Sequence, residues 1–202
     1  MVAATMSRIV LIAAHPQLAQ SRVSARLMRR AARDAAEVEV RDLYTLYPDY
    51  WIDRGAEQAA LAGARLIVWL HPVHWYGMPP LMKLWLDDVF SFGWAYGPGG
   101  RALHHKALWL VASTGGPAES YRPAGRHGHA FDDFLPPYRQ TAALAGLHWC
   151  EPLLLHGALR ADDDQLQAFE DQFAAGLVRH AAETAKASPA IEVAHDERPE
   201  SS

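Results

Sequence analysis

Three short stretches of the 202-residue chain combine hydroxyl, histidine, aromatic and glycine residues in unusual ways. The first runs from His15 to Ser24, HPQLAQSRVS. It holds neither G-x-G-x-x-G nor G-x-x-x-x-G-K-[ST], so the dinucleotide fingerprint and the P-loop are both absent. It offers instead Ser21, Arg22, Val23 and Ser24 at the start of an expected helix. Free N–H groups, the helix dipole and two hydroxyls there can seat a terminal phosphate without a lysine. Plain N-capping by Ser21 explains the same residues. The second stretch, Pro72-Val73-His74-Trp75-Tyr76, leads through Gly77-Met78 to Pro79-Pro80. Trp75 and Tyr76 could flank a flat ligand, or simply pack as an aromatic loop. The third, Ser113-Thr114-Gly115-Gly116, continues to Tyr121, His127 and His129. Two adjacent glycines permit close backbone approach, so their N–H groups can face ring carbonyls. An ordinary flexible turn is the alternative. Together the three stretches describe a phosphate seat, an aromatic wall and a backbone cradle for a planar heteroaromatic.

These stretches matter only if the fold brings them together. Arg8 to Ala14, Arg65 to Leu70 and Ala107 to Ser113 are short apolar runs, as expected of strands covered on both faces. EVEVR (37–41) reads as a further strand, and His148 to His156 as a fifth. Helical spacing appears over Ser21–Ala36, Arg54–Ala64, Leu81–Phe90 and from Pro136 or Pro137 to about Gly146. A last helix opens at Asp162-Asp163-Asp164, where acidic side chains complement the dipole. The aromatic segment 42–53 reads as a long ordered loop. This alternation predicts one α/β domain over residues 7–185, a doubly wound five-stranded parallel sheet in the order 2-1-3-4-5, with helices on both faces. A polar tail without structure is expected over 186–202. In such sheets ligands bind beyond the carboxyl ends of the strands, and the three stretches leave those ends.

Composition narrows the function classes. A net charge of -4 gives no basic surface for nucleic acid. The single Cys150 forms no intrachain disulfide and points to a reducing, cytoplasmic setting. No apolar run has membrane-spanning length, and the first residues lack the basic region of a signal peptide. Eleven histidines raise the question of a metal. His71 with His74, His104 with His105, and His127 with His129 lack Cys ligands, an H-E-x-x-H helix or carboxylates at ligand spacing, so none is expected. A G-x-S-x-G hydrolase elbow is also missing.

The stretches 42–49 (DLYTLYPD), 71–76 (HPVHWY), 79–87 (PPLMKLWLD), Gly93-Trp94-Ala95-Tyr96-Gly97 and Ser113–Gly116 carry a family resemblance. Their order and spacing resemble the flavodoxin-like NAD(P)H quinone oxidoreductases, most closely the ancillary proteins of glutathione-regulated potassium-efflux systems. The resemblance spans about Arg8 to Arg179. It implies a homodimer with FMN, in which NAD(P)H and quinone use one pocket in turn for two-electron transfer. It further implies that His15 lies beside the flavin phosphate or ribityl chain, that Ser21 to Ser24 hold the phosphate, and that Pro72 to Tyr76 and Ser113 to Gly116 line the ring. Tyr121 and His127 match a tyrosine and histidine that stabilise the reduced flavin. Trp94 and Tyr96 match aromatics of the substrate face. An antiporter partner on the cytoplasmic face of the inner membrane is implied too, with a non-catalytic regulatory subunit or a simple electron carrier as alternatives. Relatives carry Asn at Ser24, Thr at Ser113 and Gln at His74, so this chain departs from the pattern there.

Overall fold

A computed structural model of the chain describes residues 9–33 and 38–187. The expected alternation is present. In chain order the elements are β1 (Ile9–Ala13), α1 (Ser24–Arg33), β2 (Val38–Asp42), the single turn α2 (Leu43–Leu46) and α3 (Arg54–Ala62). There follow β3 (Leu66–Pro72), α4 (Pro80–Val89), β4 (Ala107–Ser113), α5 (Pro136–Leu144), β5 (His148–Trp149), β6 (Leu153–Leu155) and α6 (Asp163–Ala187). The strands are parallel in the order β2-β1-β3-β4-β5, and β6 also pairs with β4.

The expected fifth strand is thus two short ones on the same edge of β4. Pro152 has no N–H to give the ladder, and the carbonyl of Glu151 is turned to accept from Trp109 Nε1 at 3.0 Å. Two other expectations shift. Helix α1 begins at Ser24 rather than Ser21, after a 3-10 turn over Leu18–Gln20. The loop expected over 42–53 contains α2. Helix α6 continues two residues into the stretch expected to lack structure, and 188–202 lie outside the described residues.

Alternate strand residues feed two cores, as the period of two requires. Val10, Ile12, Ile67, Trp69, Leu108 and Leu110 pack under α3, α4 and α5. Ile9, Leu11, Leu66, Val68, Trp109 and Val111 pack under α1 and α6. On that second face the Trp109 indole stacks on Phe173 (ring centroids 5.7 Å apart). A Cβ on Gly176 would lie 2.3 Å from Trp109 Cη2, so only glycine lets α6 approach this closely. The helix ends are fastened individually. Asp53 Oδ1 accepts from Ala56 N at the start of α3, and Lys106 Nζ donates to the Ala62 and Ala64 carbonyls at its end.

One buried carboxylate organises the aromatic segment between β2 and α3. Glu57, with no exposed surface, accepts from Arg41 Nε, Arg41 Nη2 and Tyr47 Oη on one oxygen, and from Trp85 Nε1 on the other. Strand β2, the loop, α3 and α4 therefore meet at a single side chain. Its hydrogen bond raises the Arg41 guanidinium still further above its ordinary range. Burial, with that carboxylate, pushes the Tyr47 hydroxyl up to about 12. Removing one member of a buried, fully bonded ion pair costs about 3 to 5 kcal/mol. Glu57→Leu is expected to lower the unfolding free energy by about that amount in urea titration. A loss under about 1 kcal/mol would show that the network is incidental to the fold.

Candidate functional site

Strands β1, β3 and β4 end side by side, with Ala13 opposite Leu70 and Pro72 opposite Ser113. Their loops enclose a cleft of about 390 Å³. His15, Ser21, Arg22 and Val23 form one wall, Pro72, Val73 and His74 a second, and Ser113, Thr114 and Gly115 a third.

At the first wall the capping role of Ser21 is realised: its Oγ accepts from Ser24 N at 2.8 Å. The N–H groups of Arg22 and Val23 nevertheless have no acceptor among the described residues. Two free donors at the start of a ten-residue helix, facing a cleft, suit an anion. Ser24 is placed differently from expectation. It is 1% exposed and does not line the cleft, and its Oγ has no partner in the structure. The Arg22 guanidinium is engaged elsewhere, donating to the Ala161 carbonyl at 2.8 Å and reaching Asp163 at 3.4 Å. It ties this loop to the start of α6. His15 Nδ1 accepts from Gln17 N, which places the proton of the neutral ring on Nε2. Burial, assisted by His74, holds its pKa below 6.5, so the ring is neutral near neutral pH.

The second loop is locked to the third by Val73 N donating to Ser113 O at 2.8 Å. His74 and Gly77 then exchange two backbone hydrogen bonds around Trp75 (φ 48°) and Tyr76 (φ 67°). Both central residues are left-handed, as in a type I′ turn, a geometry that favours Asn-Gly. Holding aromatic residues there stores roughly 1–3 kcal/mol at each position. Trp75, expected to line the ring, is 95% exposed and, like Tyr76, is not among the residues lining this cleft. The Tyr76 ring stacks on Phe134, with ring centroids 4.9 Å apart.

The third loop gathers the titratable groups. The Tyr121 and His127 rings lie 4.4 Å apart, and His127 Nδ1 is 3.3 Å from Tyr76 Oη. A Cβ on Gly116 would sit 3.3 Å from His127 Nε2, and one on Gly115 3.5 Å from Leu159 Cδ1. The two glycines thus form a shallow floor beneath His127 and Leu159, and their own N–H groups have no acceptor among the described residues. His129 turns away toward Asp133. Trp94 and Tyr96, expected on the substrate face, are half-buried against the core and do not line this cleft.

Sequence reasoning missed His156, Ala158 and Leu159, which follow the last strand and cross the floor of the cleft system. Thr114 Oγ1 donates to Gly116 O and lies 2.9 Å from His156 Nδ1. A hydroxyl has one proton, so His156 is the donor and its Nε2 is left as an acceptor. Burial lowers the His156 pKa against the opposing pull of Glu119. The signal was available, since the strand-end rule applies to the fifth strand as it does to the other three.

His71 holds the second loop from behind. It is fully buried, its Nδ1 meets Pro72 O at 3.0 Å, and its ring stacks on Tyr138. Burial pulls its pKa from 6.5 to about 4. Between those values the unfolded chain binds a proton that the folded chain refuses, so stability falls as pH drops through this window. His71→Phe keeps a ring against Tyr138 and removes the titration. Its unfolding free energy is expected to fall with acidification less steeply than that of the parent, by up to about 1.4 kcal/mol per pH unit. Equal slopes in urea titrations at pH 4.5 to 6.5 would contradict the assignment.

Comparison with known proteins fits this geometry. A family model described as flavodoxin-like fold matches residues 7–177. A structure from Streptomycin violaceusniger, described as a thermophilic tryptophan halogenase, is 34% identical with a TM-score of 0.80, covering 84% of this chain and 98% of that one. General stress protein 14 of Treponema denticola, solved in complex with FMN, is 32% identical with a TM-score of 0.78, covering 87% and 98%. An NADPH-quinone reductase from P. pentosaceus shares the fold at 21% identity and a TM-score of 0.74, covering 91% and 99%. Names this different on one architecture mean that activity must be argued from the residues. Family membership rests on the match over residues 7–177: the chain belongs to the flavodoxin-like fold family.

Proposed function

We propose that the protein is an FMN-dependent NAD(P)H:quinone oxidoreductase. The observation that carries this reading is that the free N–H groups of Arg22 and Val23 line a cleft that ends at Gly115, where it meets a second cleft holding Gly116 beneath His127. One end suits a phosphate, and the other suits the edge of a flat ring with carbonyl oxygens. Two neighbours support the reading by their names, one as an FMN complex and one as an NADPH-quinone reductase.

FMN would supply the acceptor for two electrons from reduced nicotinamide and their donor to a quinone. The protein's part is seating, orientation and charge stabilisation. Arg22 and Val23 N–H, with neutral His15 donating from Nε2, would hold the phosphate and ribityl chain. The Val73–Ser113 hydrogen bond fixes the spacing between the aromatic turn and the glycine floor. Were Tyr76 Oη to donate to His127 Nδ1, the ring proton would lie on Nε2 above Gly116. There, with Gly115 and Gly116 N–H and the Tyr121 hydroxyl, it would stabilise negative charge on a ring oxygen, as oxyanion donors do.

Pairing of two copies belongs to the same proposal. Trp51, Trp75 and Phe92 are 82%, 95% and 69% exposed, large apolar side chains that a second subunit would cover. Among the described residues no helix is long and apolar enough to cross a membrane. Contact with a potassium-efflux antiporter is part of the same proposal.

The test is an anaerobic absorbance titration of the flavin-loaded protein. NADPH is expected to bleach the flavin bands and a benzoquinone to restore them. Tyr121→Phe combined with His127→Gln is expected to slow turnover by about 100-fold. Protein that stays colourless after incubation with FMN would sink the proposal.

A further inference from the structure

Resting on the oxidoreductase reading, we propose that Arg126 and Arg160 bind the phosphate-bearing adenosine half of the hydride donor and so select NADPH over NADH. A second cleft of about 780 Å³ opens beside the first and shares Gly115 and Leu159 with it. A ligand whose flat ring lies on the glycine floor therefore has a continuous path into this larger volume.

The two arginines enter the cleft from different segments, Arg126 from the loop next to His127 and Arg160 from the turn after β6. Neither makes an ion pair or a side-chain hydrogen bond among the described residues. Arg22 and Arg122 close by are committed, to Asp163 and Glu119 respectively. Glu119 is the carboxylate in the lining, and Arg122 at 4.0 Å offsets its charge. Gln165 adds a neutral donor: its Oε1 accepts from Asp162 N, and its NH₂ is left over.

Two uncommitted guanidinium groups and an amide suit a phosphomonoester, whose three oxygens take forked donors. NADPH carries such a group on its adenosine ribose where NADH has a hydroxyl, while both share the pyrophosphate. Discrimination between the donors therefore falls to whatever meets that phosphate.

The probes are 2′,5′-ADP and 5′-AMP, which differ by that one phosphate, with calorimetry on the purified protein. The first is expected to bind at least about tenfold more tightly, a difference of about 1.4 kcal/mol. Arg126→Gln and Arg160→Gln are each expected to abolish most of that difference. Each should also raise the ratio of KM for NADPH to KM for NADH by about tenfold. Equal affinity of the two probes, or an unchanged ratio in both variants, overturns the assignment even in an active enzyme. If nicotinamide oxidation is absent but the probe difference is present and lost in the variants, the subsite stands and the oxidoreductase reading falls.

Discussion

The parallel register of β1, β3 and β4 is the constraint on which the site depends. Ala13 pairs with Leu70, Leu70 with Val111 and Pro72 with Ser113, so three chains leave the sheet at nearly one level. A slip of one residue would turn the alternate side chains into the wrong core. It would also move Val73 away from Ser113 O, the hydrogen bond that joins the second and third loops. The register is fixed by burial on both faces: Leu11, Ile12, Val68, Trp69, Trp109 and Leu110 are all within 1% of full burial. Site geometry is therefore inherited from core packing.

On that frame the segments behind and beside the cleft carry several local costs. Trp75 and Tyr76 sit in left-handed backbone. The buried hydroxyl of Ser24 and Nε2 of His71 lack partners. Such costs persist only because stability elsewhere offsets them. The offset here is visible in the Glu57 network, which clamps four segments, and in Glu170, which receives Arg26 and Arg33 from α1.

Strand β4 and the sheet order were legible in the sequence, because continuous apolar runs between helical patterns leave few topologies. The division of the fifth strand was not. It depends on Trp109 reaching Glu151 O, a contact 42 residues away in the chain. Segment 42–53 was read as a loop because local pattern cannot see a carboxylate arriving from Glu57. At the site, the three strand-end stretches are brought together: His15, Ser21 and Gly115 line the first cleft, and Gly115, Gly116, Tyr121 and His127 the second. Ser24 lies inward because it is the first residue of α1, its N–H capped by Ser21 Oγ and its side chain buried beneath the wall. Trp94 and Tyr96 were assigned from resemblance alone, and their packing against the core follows contacts that spacing does not encode.

The central claim is that a phosphate is held at the start of α1 in the first cleft and a flat ring on the glycine floor where the two clefts meet at Gly115. Parallel fluorescence titrations of the flavin-free protein with FMN and with riboflavin test it most directly, since the two differ only by the phosphate. The account expects FMN to bind at least about 100-fold more tightly, a difference of about 2.7 kcal/mol. Equal affinities, or no binding of either, would contradict it.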